Sequence, residues 1–385
     1  MNFLQEHIKG DRGIWAIVGL LALASFWPVY SASSNLAYLY GDGNTSRFLF
    51  KHFFHVSTGL VLLFIAHQVN AKFYRNLSLL LLPVSVLLLA IVLFKGQTIG
   101  NANASRWLSI PFIQLSFQPS ELAKLAIIMY TARYVTRFPE KIKSFKDSFI
   151  PLILPIVLVC GLILPANFST AALVFFLCLM ILILGNYPWR NVFKLLGMAL
   201  AGLMLFITVV LAFPNISNRV QTWNSRIEAY IDGGDHNTNY QVEKSKIAIA
   251  SGGITGKGPG KSIQKNFLPQ SSSDFIFAVI VEEGGLIIAF SIILLYLIFF
   301  FRIMGLFAKI PDKYAALLAF GCGFSIVFQA FSNIAVAVNV FPVTGQPLPF
   351  ISSGGTSLWI TCFMVGIILS MSRLKTEEVV HEEAA

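Results

Sequence analysis

The chain has 385 residues, of which 56% are hydrophobic and only 12% charged. Soluble domains carry about 25% charged residues, so half the usual charge is missing, and apolar runs of about 20 residues recur throughout; this excludes an ordinary soluble fold and predicts an all-α polytopic membrane protein. The net charge of +10 would suit a nucleic-acid partner in a soluble domain, but here it is the accumulation of Lys and Arg expected of cytoplasmic loops, and no nucleic acid is implied.

Ten spans are read in chain order, at roughly 13–30, 48–67, 77–95, 118–135, 149–164, 170–186, 192–213, 274–301, 314–338 and 356–372. Lys9 and Arg12 precede the first, as in a cleavable leader, but a multi-spanning protein keeps such a segment as its first helix. His52 and His55 stand i,i+3 near the outer end of the second, yet no third ligand is near, and interfacial histidines explain them better than a metal. Arg106 and Trp107 in "GNANASRWLSIPF" precede the fourth span, as an interfacial anchor or a lipid-headgroup contact. That span opens on "SFQPSELAKLAII", where Glu121 and Lys124 share a face and can pair, either as a structural ion pair or as the wall of a polar cavity. Pro165 and Asn167 make a tight turn between the short fifth and sixth spans. Cys160, Cys178, Cys322 and Cys362 all sit in apolar runs without disulfide or metal spacing.

An even number of spans puts both termini on one side, and charge decides which. With the N-terminus in the cytoplasm, the inner segments hold sixteen Lys or Arg, and the short outer segments hold only Arg47, Lys95 and Arg106, with Lys51 at a helix edge. Both termini are therefore expected in the cytoplasm. Residues 373–385, with "TEEVVHEEAA", are read as an acidic, frayed cytoplasmic tail. The whole of 1–385 reads as a single membrane domain with one long extracytoplasmic loop at 214–273, polar and glycine-rich, with seven Lys or Arg. Loops of this length are usually functional.

Within that loop, "GKS" at Gly260–Ser262 invites a phosphate-loop reading, but the position five before Gly260 is Thr255 rather than glycine and no strand precedes it. What survives is a glycine-rich stretch with Lys257, Lys261, Gln264 and Lys265, able to cradle a phosphate or to be a solvated basic turn. Asp274 begins the eighth span, where it either complements the helix dipole or does chemistry. Glu282 and Glu283 lie roughly 12–14 Å deeper at about 1.5 Å per residue. Adjacent residues point about 100° apart on a helix, so at least one needs a polar cavity or a cationic partner. Between the last two spans, "VFPVTGQPLPFISSGGTS" predicts a folded or re-entrant loop lining an outward cavity.

The stretches "GKGPGKSIQKNFLPQSSSDFIFAVIVEEGG", "QPSELAKL" and "PVTGQPLPFISSGGTS", in this order within a ten-span frame, resemble the SEDS family of bacterial cell-wall proteins, which includes FtsW, RodA and sporulation homologues. The resemblance covers essentially the whole chain, and "GKSIQK" ahead of "FLP" is more similar to the division branch than to the elongation branch. It implies a multi-pass protein of the bacterial cytoplasmic (inner) membrane, placed at the septum in the division branch. The implied activity is that of a peptidoglycan glycosyltransferase polymerising lipid II, the undecaprenyl-pyrophosphate-linked disaccharide peptide, on the outer face. It carries the family's essential loop aspartate onto Asp274, its buried glutamate onto the Glu282–Glu283 pair, and its intramembrane pair onto Glu121 and Lys124. It implies a class B penicillin-binding protein transpeptidase and other division or elongation proteins as partners. The eighth and ninth spans offer small residues for close packing against such a helix. The chain departs from the family at "ANFST", where Asn167 takes an aspartate's place, at "SSGGT", and at Ser273 in place of threonine.

The chemistry needs one carboxylate to take the proton of the attacking sugar hydroxyl and positive charge for the departing pyrophosphate. Asp274 is the preferred base; Arg106, Lys257, Lys261, Gln264 and Lys265 are assigned to substrate; Glu121, Lys124, Glu282 and Glu283 are assigned to the cavity, the glutamates held by Lys124 or another buried donor. No cofactor is required; a divalent cation could accompany the pyrophosphate, but no ligand cluster marks a protein metal site. A lipid II flippase competes with the enzyme, as does a scaffold for other wall enzymes, but no inverted repeat with matching broken helices is visible.

Overall fold

The computed structural model describes residues 9–40, 45–96, 106–110, 115–212, 236–268 and 271–383. Residues 213–235 and 269–270 of the long loop, with Arg219 and Arg226, therefore lie outside the described residues, as does the outer stretch 97–105. Ten helices coincide with the ten expected spans: α1 Arg12–Tyr40, α2 Thr45–Gln68, α3 Ala71–Lys95, α4 Pro119–Arg137, α5 Phe145–Ile163, α6 Phe168–Leu184, α7 Trp189–Ala212, α9 Ile276–Lys309, α10 Lys313–Ala337 and α11 Thr356–Glu383. Between α7 and α9 lies a helix the sequence reading missed, α8 His236–Gly252. Eight of the described helices are long and apolar enough to cross a membrane by length and composition. The other two of the ten are α6, apolar but only 17 residues long, and α4, which carries Glu121, Lys124, Arg133 and Arg137. The protein is an all-α, multi-pass membrane protein. Two short strands, β1 Leu108–Ile110 and β2 Leu115–Phe117, pair antiparallel ahead of α4.

Local chemistry sets several helix ends. Asn70 caps α3 by accepting the Lys72 N–H at 3.0 Å, and Pro119 occupies the first turn of α4, where no N–H is needed. Inside α5, a π-turn spans Phe149–Ile153 around Pro151, and the Tyr130 hydroxyl donates to the Pro151 carbonyl at 2.5 Å. At the other end of the chain, α11 continues through the acidic tail to Glu383 instead of ending near 372.

The expected single domain divides into two compact units, each assembled from three stretches of chain. One comprises 1–67, 225–305 and 323–369; the other comprises 68–224, 306–322 and 370–385. In the second, α4 packs against α3 and α6, and α5 against α6. The small residues of α10 are used inside the protein. A Cβ at Gly321 would stand 2.7 Å from Ile128, and one at Gly323 would stand 2.6 Å from Ile303. With 83% of its apolar window buried, the ninth span does not offer the partner face expected of it. In α9 the outward side chains are large, with Ile287, Phe290, Leu294 and Phe301 exposed.

Candidate functional site

In the first unit, helix α9 breaks at Gly285, whose backbone (φ 70, ψ −174) no helix accommodates. A broken helix leaves peptide groups unpaired, and at membrane depth each must find a partner inside the protein. The glycine-rich loop after α8 takes them. The N–H groups of Lys257 and Gly258 donate to the Glu282 and Glu283 carbonyls at 3.0 and 2.9 Å, and Gly253 and Ile254 carbonyls accept from Leu286 and Ile287 at 3.0 and 3.3 Å. The approach leaves no room for side chains: a Cβ on Gly256 would stand 2.2 Å from the Glu283 carbonyl, and one on Gly285 2.3 Å from that of Ile254.

The same loop closes over both glutamate side chains, which are fully buried. The Glu282 carboxylate accepts from Lys257 Nζ at 2.7 Å, from the N–H groups of Ile263 and Gln264 at 3.1 and 3.2 Å, and from the Ser262 hydroxyl. Glu283 accepts from the N–H groups of Gly260 and Ser262 at 3.0 and 3.1 Å and from the Ser31 hydroxyl of α1, with Lys265 Nζ at 4.0 Å. Lys265 also donates to the Gly260 carbonyl at 2.8 Å. The two adjacent carboxylates are therefore satisfied locally. Apart from Ser31 of α1, the donors come from the preceding loop, and the glycine-rich turn cradles two internal carboxylates in the way such turns cradle phosphate. Lys124, in the second unit, pairs with Glu121 at 2.8 Å, both side chains 3% exposed.

This geometry redistributes the loop's charge. Lys257 and Lys265, expected to face substrate, are joined to Glu282 and Glu283, whereas Lys261 is exposed. The Gln264 side-chain oxygen is buried without a hydrogen-bond partner among the described residues.

Asp274 lies immediately before α9, half-buried, and its carboxylate accepts the Ser273 hydroxyl at 2.9 Å. Its backbone is fixed from two sides. The Asn333 amide of α10 donates to the Asp274 carbonyl at 2.8 Å and to the Gln346 carbonyl at 2.7 Å. The Ser352 hydroxyl and Ser353 N–H hold the carbonyls of Ser273 and Ser272 at 2.7 and 2.9 Å. The folded loop expected between the last two spans is thus the clamp on Asp274, with Leu348, Phe350 and Ile351 buried beneath it. Ser31, Asn333, Ser352 and Ser353 escaped the sequence reading. Asn333 and Ser31 sit in apolar helices with no local pattern, although "ISSGG" beside three prolines marked the loop itself.

In the second unit, Arg106 Nε donates to the Ala166 carbonyl at 3.0 Å, and Arg106, Gln118, Ser120 and Asn167 line one small cavity. Asn167 caps α6, its side-chain oxygen accepting the Thr170 N–H at 3.3 Å. That cap needs an acceptor oxygen rather than a charge, so the amide serves where the family has a carboxylate. Its Nδ2 is buried without a partner among the described residues.

The family described as "Cell cycle protein", spanning FtsW, RodA and SpoVE, matches residues 11–377. The chain belongs to this family. It is 34% identical over 381 residues to a probable peptidoglycan glycosyltransferase FtsW of Geobacter metallireducens, covering 97% of this chain and 98% of that one. It is 33% identical to the protein of the same description from Halomonas elongata, covering 92% and 89%. Among solved structures it resembles a chain of a peptidoglycan synthase complex that coordinates polymerization and crosslinking, with TM-score 0.73 and 26% identity over 95% of this chain and 98% of that one. It also resembles the rod shape determining protein RodA of Thermus thermophilus, with TM-score 0.66 and 25% identity over 94% and 97%. The activity that goes with this membership is glycosyl transfer in peptidoglycan synthesis.

Proposed function

We propose that the chain polymerises lipid II on the outer face of the bacterial cytoplasmic membrane during septal wall synthesis, with both termini in the cytoplasm and Asp274 as general base. The carrying observation is the clamp: Asn333, Ser352 and Ser353 fix the backbone around a half-buried carboxylate at the start of α9. A base held this way can meet an incoming hydroxyl without reorganising. In the proposed step, the acceptor sugar hydroxyl gives its proton to Asp274 while its oxygen bonds to the anomeric carbon. The bond from that carbon to the lipid pyrophosphate breaks on the opposite face, which inverts the centre. The pyrophosphate leaves already anionic, so it needs positive charge and no acid.

Lys261 is the loop cation assigned to the pyrophosphate, and Arg106 to a headgroup. Gln264, with its unpartnered oxygen, is assigned to a substrate hydroxyl or amide. Lys257 and Lys265 act through the fold of the loop. Among the described residues no three His, Cys, Asp or Glu converge; a divalent cation is assigned to the substrate pyrophosphate and not to the protein. A class B penicillin-binding protein is the proposed partner, its single helix against the exposed apolar face of α9. The test is reconstitution of the purified chain in vesicles with lipid II. Glycan strands formed without net lipid II translocation support the polymerase; translocation without strands contradicts it and makes the chain a flippase.

A further inference from the structure

The far end of α4 carries a second polar constellation, unrelated to glycosyl transfer. Tyr130, Arg133 and Arg137 lie on one face at i, i+3 and i+7. Arg133 is only 8% exposed, and its Nε is buried without a hydrogen-bond partner. Among the described residues no carboxylate pairs with it. Arg137, Tyr314, Tyr130 and Arg75 lie close enough to act on its charge, and the two charged ones, Arg137 and Arg75, are both positive. The carboxylate near this cluster, Asp312, is already engaged. It holds Arg75 at 2.9 and 3.2 Å and accepts the Tyr314 N–H at 3.2 Å, capping α10. Two further donors are stranded beside it: Arg75 Nε and the hydroxyl of Tyr314, a side chain buried completely under the Arg75 guanidinium at 4.8 Å. Tyr130, by contrast, spends its hydroxyl on Pro151.

A buried guanidinium without a counter-charge is strongly unfavourable. Water could satisfy its hydrogens, but it cannot balance an excess of positive charge. What the cluster leaves unpaired, Arg133 Nε, Arg75 Nε and one phenol, is a donor set suited to an oxyanion. We propose that Arg133, Arg75 and the Tyr314 hydroxyl form a binding site for a phosphate-type oxyanion, supplied by an anionic phospholipid headgroup or by free phosphate. The basic run that follows, Arg137, Lys141, Lys143 and Lys146, would concentrate such anions at this end of the helix.

The test uses the full chain purified in a neutral, phosphate-free detergent, with thermal melting as readout. One arm titrates phosphatidylglycerol into the micelles against phosphatidylcholine; the other titrates inorganic phosphate against chloride at equal ionic strength. Stabilisation by phosphatidylglycerol alone identifies a lipid headgroup site, and stabilisation by phosphate identifies a site open to the soluble anion. In either case Arg133→Gln is expected to weaken the response roughly tenfold or more in apparent affinity. Tyr314→Phe, which leaves the charges in place, is expected to weaken it several-fold and serves alone if Arg133→Gln does not fold. No stabilisation of the wild type beyond its controls, or variants that respond as the wild type does, would overturn the site.

Discussion

Lys261 and Lys265 lie four residues apart in one loop, and the structure gives them different work. Lys265 is buried, bonded to Ser31 and Gly260 and 4.0 Å from Glu283; Lys261 is exposed. Lys265→Ala is therefore expected to lower stability by about 2 kcal/mol, since it strands part of a buried carboxylate. Lys261→Ala is expected to change stability by less than about 0.5 kcal/mol while raising the donor concentration needed for half-maximal rate. Melting curves and donor titrations on the two variants separate the roles; matching losses of stability would contradict the assignment. The Glu121–Lys124 pair has a similar logic. Removing either partner leaves an uncompensated buried charge, at a cost of about 3–5 kcal/mol, so Glu121→Ala and Lys124→Ala should each melt below the double variant. Additive losses would mean that the two residues do not act as a pair.

At the scale of elements, the break in α9 is what joins loop, helix and carboxylates. Gly285→Ala would force a side chain into a left-handed backbone and against the Ile254 carbonyl. The expected result is release of the loop from the helix, seen as faster hydrogen exchange over residues 253–268 and loss of activity. Unchanged exchange there would show that the loop holds without the break. The long apolar helices were legible because long hydrophobic runs have one solution in a bilayer. Helix α8 was not, since "HNTNYQVEKSKIAIASG" is polar enough to read as loop. The loop's glycines and lysines suggest a phosphate cradle, and in the fold they hold two carboxylates of the chain itself. Sequence could not say which anion, because Glu282 and Glu283 lie about twenty residues downstream and only the fold brings them under the turn. Asp274 stood out by its position at a helix start, but its clamp, formed by Asn333, Ser352 and Ser353, depends on contacts across nearly sixty to eighty residues of chain.

For the whole molecule, α9 and α10 differ in burial as they do in hydropathy, the more apolar helix being the more exposed. The apolar stretch of α10 is 83% buried and that of α9 28%, so α9, like α2, α3 and α7, keeps an outward face for lipid or a partner. If a single-pass transpeptidase docks there and orders the long outer loop, it raises the competent fraction of molecules without touching the chemistry. The isolated chain should then polymerise slowly. Co-purified transpeptidase with its own nucleophile removed should restore the rate, and bulky polar substitutions at Phe290 or Leu294 should abolish the gain. Equal rates for the isolated chain and the complex would refute activation while leaving the enzyme assignment standing.

Asp274 is proposed to take the proton of the attacking hydroxyl. Its most direct test is the rate of lipid II polymerisation by Asp274→Asn, measured beside wild type in the same complex, with melting temperature as the check on folding. The amide keeps the side chain's shape and can still meet Ser273, so the fold should survive. Loss of the base should lower the rate by about a hundredfold or more. A correctly folded Asp274→Asn protein that polymerises at the wild-type rate would contradict the account.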